Sequence, residues 1–104
     1  MSLVKKIKDK KVNFEFNKEY INVVIGKIAN NDALFITNSF KEMHPADAAD
    51  IIEHLTENDR EKLIKLNNFK IEPEVFVELN ESIQAEIIKY LSSDSIVMIL
   101  KNLD

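Results

Sequence analysis

The sequence predicts an all-α fold, a stack of short helices, and three observations carry that expectation. Leu55, Leu66, Leu79, Leu91 and Leu103 each close a short amphipathic segment, at intervals of 11, 13, 12 and 12 residues, so one short helix and its turn fill each interval. Isoleucine and leucine recur at helical rather than alternating spacing. One glycine and two prolines in 104 residues leave little material for hairpins.

Residues 4–17 mix lysines with Val12, Phe14 and Phe16 in a brief alternation that fits extended chain or an unstructured lead-in, and Met1-Ser2-Leu3 fits a cloning remnant. A basic lead-in is therefore expected over 1–17 and a helical domain over 18–104. From Lys18, Tyr20, Ile21, Val24, Ile25 and Ile28 form one apolar stripe, which ends at the cap-type residues Asn30-Asn31-Asp32. A second helix carries Leu34, Phe35, Phe40 and Met43. It must stop before His44-Pro45, because the residue before a proline is pushed out of the helical region.

Pro45 suits the first position of a third helix, where its missing N–H costs nothing, and Asp47 in that first turn complements the helix dipole. Ile51, Ile52 and Leu55 supply the buried face. Thr56 with Asp59 resembles a capping box for a fourth helix, which buries Leu63, Ile64 and Leu66 and ends at Asn67-Asn68. Glu72-Pro73 repeats the proline start for a fifth helix with Val75, Phe76 and Leu79. Asn80 caps a sixth, with Ile83, Ile87, Ile88 and Leu91 at helical spacing. Ser92 or Ser93 caps a seventh, with Ile96, Ile99, Leu100 and Leu103 as its stripe. Helices this short are marginal alone, so each must draw its stability from neighbours. A chain ending at Asp104, itself a capping residue type, reads as a stack cut from something longer.

With 45% apolar and 31% charged residues the composition is that of one ordinary globular domain. The absence of cysteine excludes disulfides and thiolate metal sites. The longest apolar run, Ile96 to Leu100, is far short of the roughly 20 residues that span a bilayer. Charge is unevenly placed: residues 1–20 hold six lysines against three acids, whereas residues 21–104 hold eight basic and fifteen acidic residues. The acidic body would repel phosphate backbones, and no nucleic-acid partner is expected. The lysine-rich start reads as a solvated tail.

Nothing in the pattern supports an enzyme. There is no cysteine nucleophile, no Gly-x-Ser-x-Gly turn, and the single Gly26 builds no phosphate-cradling loop. The densest polar cluster runs from His44 to His54. Asp47, Asp50 and His54 follow i, i+3, i+7 spacing and could share a face able to meet a divalent cation. Helix-end chemistry is the simpler reading: acids belong in a first turn, His44 sits where a cap is needed, and His54 lies near the C-terminal end. No catalytic, cofactor-binding or metal residue is assigned.

The run Met43-His44-Pro45-Ala46-Asp47-Ala48-Ala49-Asp50-Ile51-Ile52-Glu53-His54-Leu55 is similar to the Leu-His-Pro-Ala-Asp-Ile-Ala-Asp-Leu-Leu-Glu-Glu-Leu of the cytosolic N-terminal domain of MgtE-type magnesium transporters. Asn58-Asp59-Arg60-Glu61-Lys62-Leu63 and Leu91-Ser92-Ser93-Asp94-Ser95-Ile96 resemble later repeats of that domain, while residues 18–42 match its preceding helices in pattern only. The resemblance implies a right-handed superhelix of short helices, like the stacked helices of a flagellar motor-switch protein. It also implies CBS domains as partners in the same polypeptide and a membrane-embedded, homodimeric channel at whose cytoplasmic face this domain works. The family takes up Mg²⁺ and closes when cytosolic Mg²⁺ is high, the ions bridging acidic surfaces of the N-terminal and CBS domains. Its metal-facing acids follow the last repeat as Leu-Asp-x-Asp-Asp-x-Ala-Asp. The present chain stops at Leu103-Asp104, so no ligand is carried over and Mg²⁺ is expected to bind this chain only weakly. A protein-scaffolding module of the flagellar motor-switch type is the alternative expectation.

Overall fold

The computed structural model describes residues 14–102 apart from residue 68, with side chains from residue 18 onward. Those residues form seven helices and no strand: α1 (Phe14–Ala29), α2 (Ala33–Glu42), α3 (Pro45–His54), α4 (Glu57–Ile64), α5 (Pro73–Glu78), α6 (Glu81–Ile88) and α7 (Ser93–Lys101). The all-α expectation holds, and six of the seven helices start at the predicted signal. The exception is α1, which begins at Phe14, four residues before the predicted start. The stripe of Tyr20, Ile21, Val24, Ile25 and Ile28 keeps its helical spacing within it, and the helix extends towards the N-terminus from that stripe. Residues 1–13, most of the expected basic lead-in, lie outside the described residues.

One junction recurs through the stack. Met43, Leu55, Leu66, Leu79 and Leu91 each donate their backbone N–H to the carbonyl three residues earlier, at 3.1–3.3 Å. This tighter last turn uses a carbonyl that the α pattern leaves orphaned, and it turns the leucine or methionine inward. Three of those residues are followed at once by a side chain that caps the next helix. Thr56 Oγ1 accepts from Asp59 N at 3.2 Å, Asn80 Oδ1 from Ile83 N at 3.0 Å, and Ser92 Oγ from Ser95 N at 3.2 Å. The other two starts, His44-Pro45 and Glu72-Pro73, have no capping side chain and rely on proline at the first helical position. His44 thus occupies a cap position without acting as a cap.

Alternate helices stack. The most extensive contact is α3 on α5, followed along the same row by α5 on α7, while α4 lies on α6 in a second row. The long α1 closes the other end against α2, α3 and α4. The most deeply buried large side chains are Val24, Ile28, Ile36, Ile52, Leu63 and Ile87, all at most 1% exposed. Burial of each such side chain is worth roughly 1.5–3 kcal/mol. Phe69 and Ile71, in the connection between α4 and α5, are also buried, and Phe69 meets Phe40 of α2 edge to face at 5.5 Å.

Several apolar residues predicted for the core lie outside it. Leu34 is 73% exposed, and Ile36 fills the interior from α2 instead. Ile88 and Leu100 are exposed as well, together with Val97 and Met98, while Leu103 lies outside the described residues. A stripe records which side of a helix is apolar, and burial additionally needs a neighbour on that side.

Candidate functional site

The acids of α3 stay apart. Asp47 is half-buried in the first turn, whereas Asp50 and His54 are exposed. The His54 ring turns back along its own helix, Nδ1–H donating to the Asp50 carbonyl oxygen at 2.8 Å. It therefore satisfies a last-turn carbonyl, as expected for a histidine near a C-terminal end. Glu53 is committed elsewhere, its Oε2 accepting from the backbone N–H of Asn80 at 2.7 Å. Among the described residues, no three His, Cys, Asp or Glu side chains form a group that could hold a metal ion. The i, i+3, i+7 arrangement of Asp47, Asp50 and His54 thus makes no chelate here.

The built polar centre lies instead around Arg60, which is 8% exposed. Its position on α4, four residues after the Thr56 cap, points the guanidinium at the C-terminal end of α3. There Nη1 donates to the carbonyls of Leu55 at 2.6 Å, Ile52 at 3.3 Å and Glu53 at 3.5 Å. The other edge of the fork grips Glu86 of α6, Nε to Oε2 and Nη2 to Oε1, both at 2.9 Å. Tyr90 completes the cluster, its hydroxyl donating to Glu86 Oε2 at 3.0 Å. A planar fork with five donors can hold a helix end and a carboxylate at once, which a lysine ammonium cannot do in this geometry.

The charges in this cluster tune one another. Hydrogen bonding to Arg60 holds the Glu86 carboxyl below the usual range against the opposing effect of burial, with the Tyr90 hydroxyl assisting. The same bond to Glu86 raises the already high pKa of Arg60. Tyr90 is pushed up to about 12, first by burial and then by its bond to Glu86. Every partner is thus held in the form that keeps the cluster intact at neutral pH. Chemically it is a clasp joining α3, α4 and α6, with no group poised to transfer a proton or attack a substrate.

Periodicity could not reveal this cluster, because Arg60 and Glu86 are 26 residues apart. One signal was present: Arg60 is the sole arginine in a chain with thirteen lysines, at a position where a bidentate fork is needed. One groove, about 480 Å³, is a shallow surface trough beside Asn58, Lys62, Lys65 and Asn67. No helix among the described residues is long and apolar enough to cross a membrane.

No curated protein and no solved structure matches this chain. A family model does: that of the MgtE intracellular N domain, over residues 43–104. The matched span begins at Met43, the first buried closing residue of the repeated junctions, and contains α3 to α7 with the whole Arg60 clasp. With three-fifths of its length matched, this chain belongs to the MgtE intracellular N domain family.

Proposed function

We propose that this chain is the regulatory domain of a magnesium transporter, sensing intracellular Mg²⁺ by moving against partner CBS domains of the same polypeptide to gate Mg²⁺ transport. The observation that carries the reading is the family match over α3–α7, a family of transporter domains rather than of enzymes. Its setting is the cytoplasmic face of the cell membrane, in a homodimeric transporter.

The acidic body supplies the physics. Two like-charged surfaces repel at low divalent concentration, and Mg²⁺ shared between them favours a closed arrangement. The described residues form no three-ligand group, so this chain contributes charge and surface while the remaining ligands come from outside those residues. Coupling can be no larger than the difference in Mg²⁺ affinity between open and closed states. Because the Arg60 clasp ties α3, α4 and α6 together, the domain moves as a body and keeps its face intact.

The test is Mg²⁺ flux through the full-length parent transporter in vesicles, with and without residues 18–104. The intact protein should close as Mg²⁺ on the domain's side rises, and the deletion should lose much of that inhibition. Unchanged inhibition would contradict the proposal. Capture of a separate protein partner at equal strength with and without Mg²⁺ would support scaffolding instead.

A further inference from the structure

Three asparagines converge on one surface trough. Asn58 lies in the first turn of α4, Asn67 just beyond the end of that helix, and Asn31 in the turn between α1 and α2. All three are exposed, and they line the trough of about 480 Å³ together with Glu61, Lys62 and Lys65. None of the three side-chain amides makes a hydrogen bond among the described residues. Asn80 and Asn102 spend theirs on helix ends, Asn80 Oδ1 accepting from Ile83 N at 3.0 Å and Asn102 Nδ2 donating to Met98 O at 2.8 Å.

The trough also reverses the local charge. Asn58, Glu61, Lys62 and Lys65 follow i, i+3, i+4, i+7 spacing, so one face of α4 forms a wall over about 10 Å of axis. Lys65 Nζ neutralises Glu61 at 2.7 Å and stands 6.0 Å from the ring centre of Tyr90. Lys62 is left as a lining cation with no ion pair among the described residues. One net positive charge therefore sits in a body, residues 21–104, that holds fifteen acids against eight basic residues. Lysines in a last turn answer the helix dipole, but that role makes no use of an amide from another element. Asn31 reaches the trough from a fixed turn. Its backbone is left-handed at φ 57°, its N–H donates to Ile28 O at 3.0 Å, and its carbonyl accepts from Ala33 N at 2.9 Å. A site whose backbone is already held loses little freedom on binding.

We propose that the trough receives an extended acidic segment of a partner protein, laid along α4 with a carboxylate on Lys62 and its backbone between the asparagines. A side-chain amide offers both a donor and an acceptor, the two groups an extended backbone presents, whereas a small anion uses the donors alone. Three extended residues at about 3.3 Å each match the length of the wall. The acidic remainder of the domain repels such a segment, and the exposed setting keeps the binding weak and sensitive to salt. It needs no Mg²⁺ and stands independently of what gates the transporter.

Nuclear magnetic resonance of the nitrogen-labelled 104-residue chain in Mg²⁺-free buffer tests this, with a capped Glu-Ser-Glu-Ser-Glu peptide as the probe. The side-chain amide signals of Asn31, Asn58 and Asn67 should shift together and saturate at about millimolar peptide. Lys62→Glu should weaken binding about tenfold by setting a like charge under the peptide, and Asn58→Ala or Asn67→Ala about threefold. Lys18→Glu reverses an exposed charge on α1 outside the trough and should leave binding within about twofold. Circular dichroism establishes that each variant is folded. Absence of saturating shifts, equal binding of a capped Lys-Ser-Lys-Ser-Lys peptide, or Lys62→Glu and Lys18→Glu variants that behave alike would each overturn the proposal. Inorganic phosphate bound as tightly as the acidic peptide would overturn it too, as a small-anion site.

Discussion

Arg60 and Gln84 hold the same place in successive repeats, the fourth residue after the N-cap, and both reach back to the carbonyl three residues before a closing leucine. Arg60 Nη1 donates to Ile52 O at 3.3 Å, and Gln84 Nε2 donates to Phe76 O at 2.9 Å. Each adds a side-chain donor to a carbonyl that already accepts the closing leucine's backbone N–H. The amide of Gln84 does that and stops. The guanidinium also holds Leu55 O and Glu53 O, and its opposite edge binds Glu86 on a third helix. One junction is closed and the other is closed and tied, so a single side chain links α3, α4 and α6.

Removal of Arg60 breaks the comparison most directly. Arg60→Ala strips Glu86 of its cationic partner and takes a donor from the carbonyls of Ile52, Glu53 and Leu55, and should cost about 3–5 kcal/mol, read as a shifted denaturation midpoint. Arg60→Lys should recover only a minor part, since an ammonium cannot serve both sides. Near-parental stability for either variant would show that the clasp is not a principal support. Leu55→Ala attacks the same junction from its apolar side, opening a cavity where Leu55 is 3% exposed, and should cost about 2–5 kcal/mol. An unchanged midpoint would remove that leucine from the core.

The pH dependence of the clasp gives a smaller effect with a definite sign. The Glu86 pKa is depressed in the fold, so its stabilising contribution is present above the ordinary value of 4.5 and is lost as pH falls through the folded-state value. Tyr90 runs the other way. Its pKa is raised from 10.0 to about 12, so its contribution is full below 10.0 and disappears as pH climbs toward 12. In a Tyr20→Phe background, tyrosinate absorbance should therefore rise well above pH 10, and Glu86→Gln should bring that titration down. A Tyr90 that titrates near 10 in the folded chain would mean that neither its burial nor its bond to Glu86 holds in solution. The smallest effect belongs to Gln84→Ala, about 1 kcal/mol for one neutral hydrogen bond. A loss as large as that of Arg60→Ala would erase the distinction between the junctions.

What the sequence disclosed and what it hid follow the range of the chemistry involved. Pro45, Pro73, Thr56, Asn80 and Ser92 act within three residues, and their signals placed the helix starts. Asp32 is of the same kind, accepting from Phe35 N at 3.1 Å after Asn31 takes a left-handed turn at φ 57°. The closing leucines were legible as a spacing. Phe69 and Ile71 sit in a connection with no period to betray them, and the bond between Arg60 and Glu86 depends on how α4 meets α6. Leu34, Ile88 and Leu100 were misplaced for a related reason, since a periodic stripe names a face without naming its neighbour. The acids of α3 were legible as helix-start chemistry, and the structure leaves them apart.

The proposed division of labour gives this chain acidic surface and a stiff scaffold, with the remaining Mg²⁺ ligands supplied from beyond the described residues. Mg²⁺ demands near-ideal octahedral oxygen geometry, and one or two carboxylates on an exposed helix hold it weakly. Calorimetric titration of the 104-residue chain with Mg²⁺ tests this most directly. The expected result is binding no tighter than about millimolar, with little change in melting temperature beyond ionic screening. Stoichiometric binding near the micromolar range would instead place a complete site within this chain and contradict the sharing of Mg²⁺ with a partner surface.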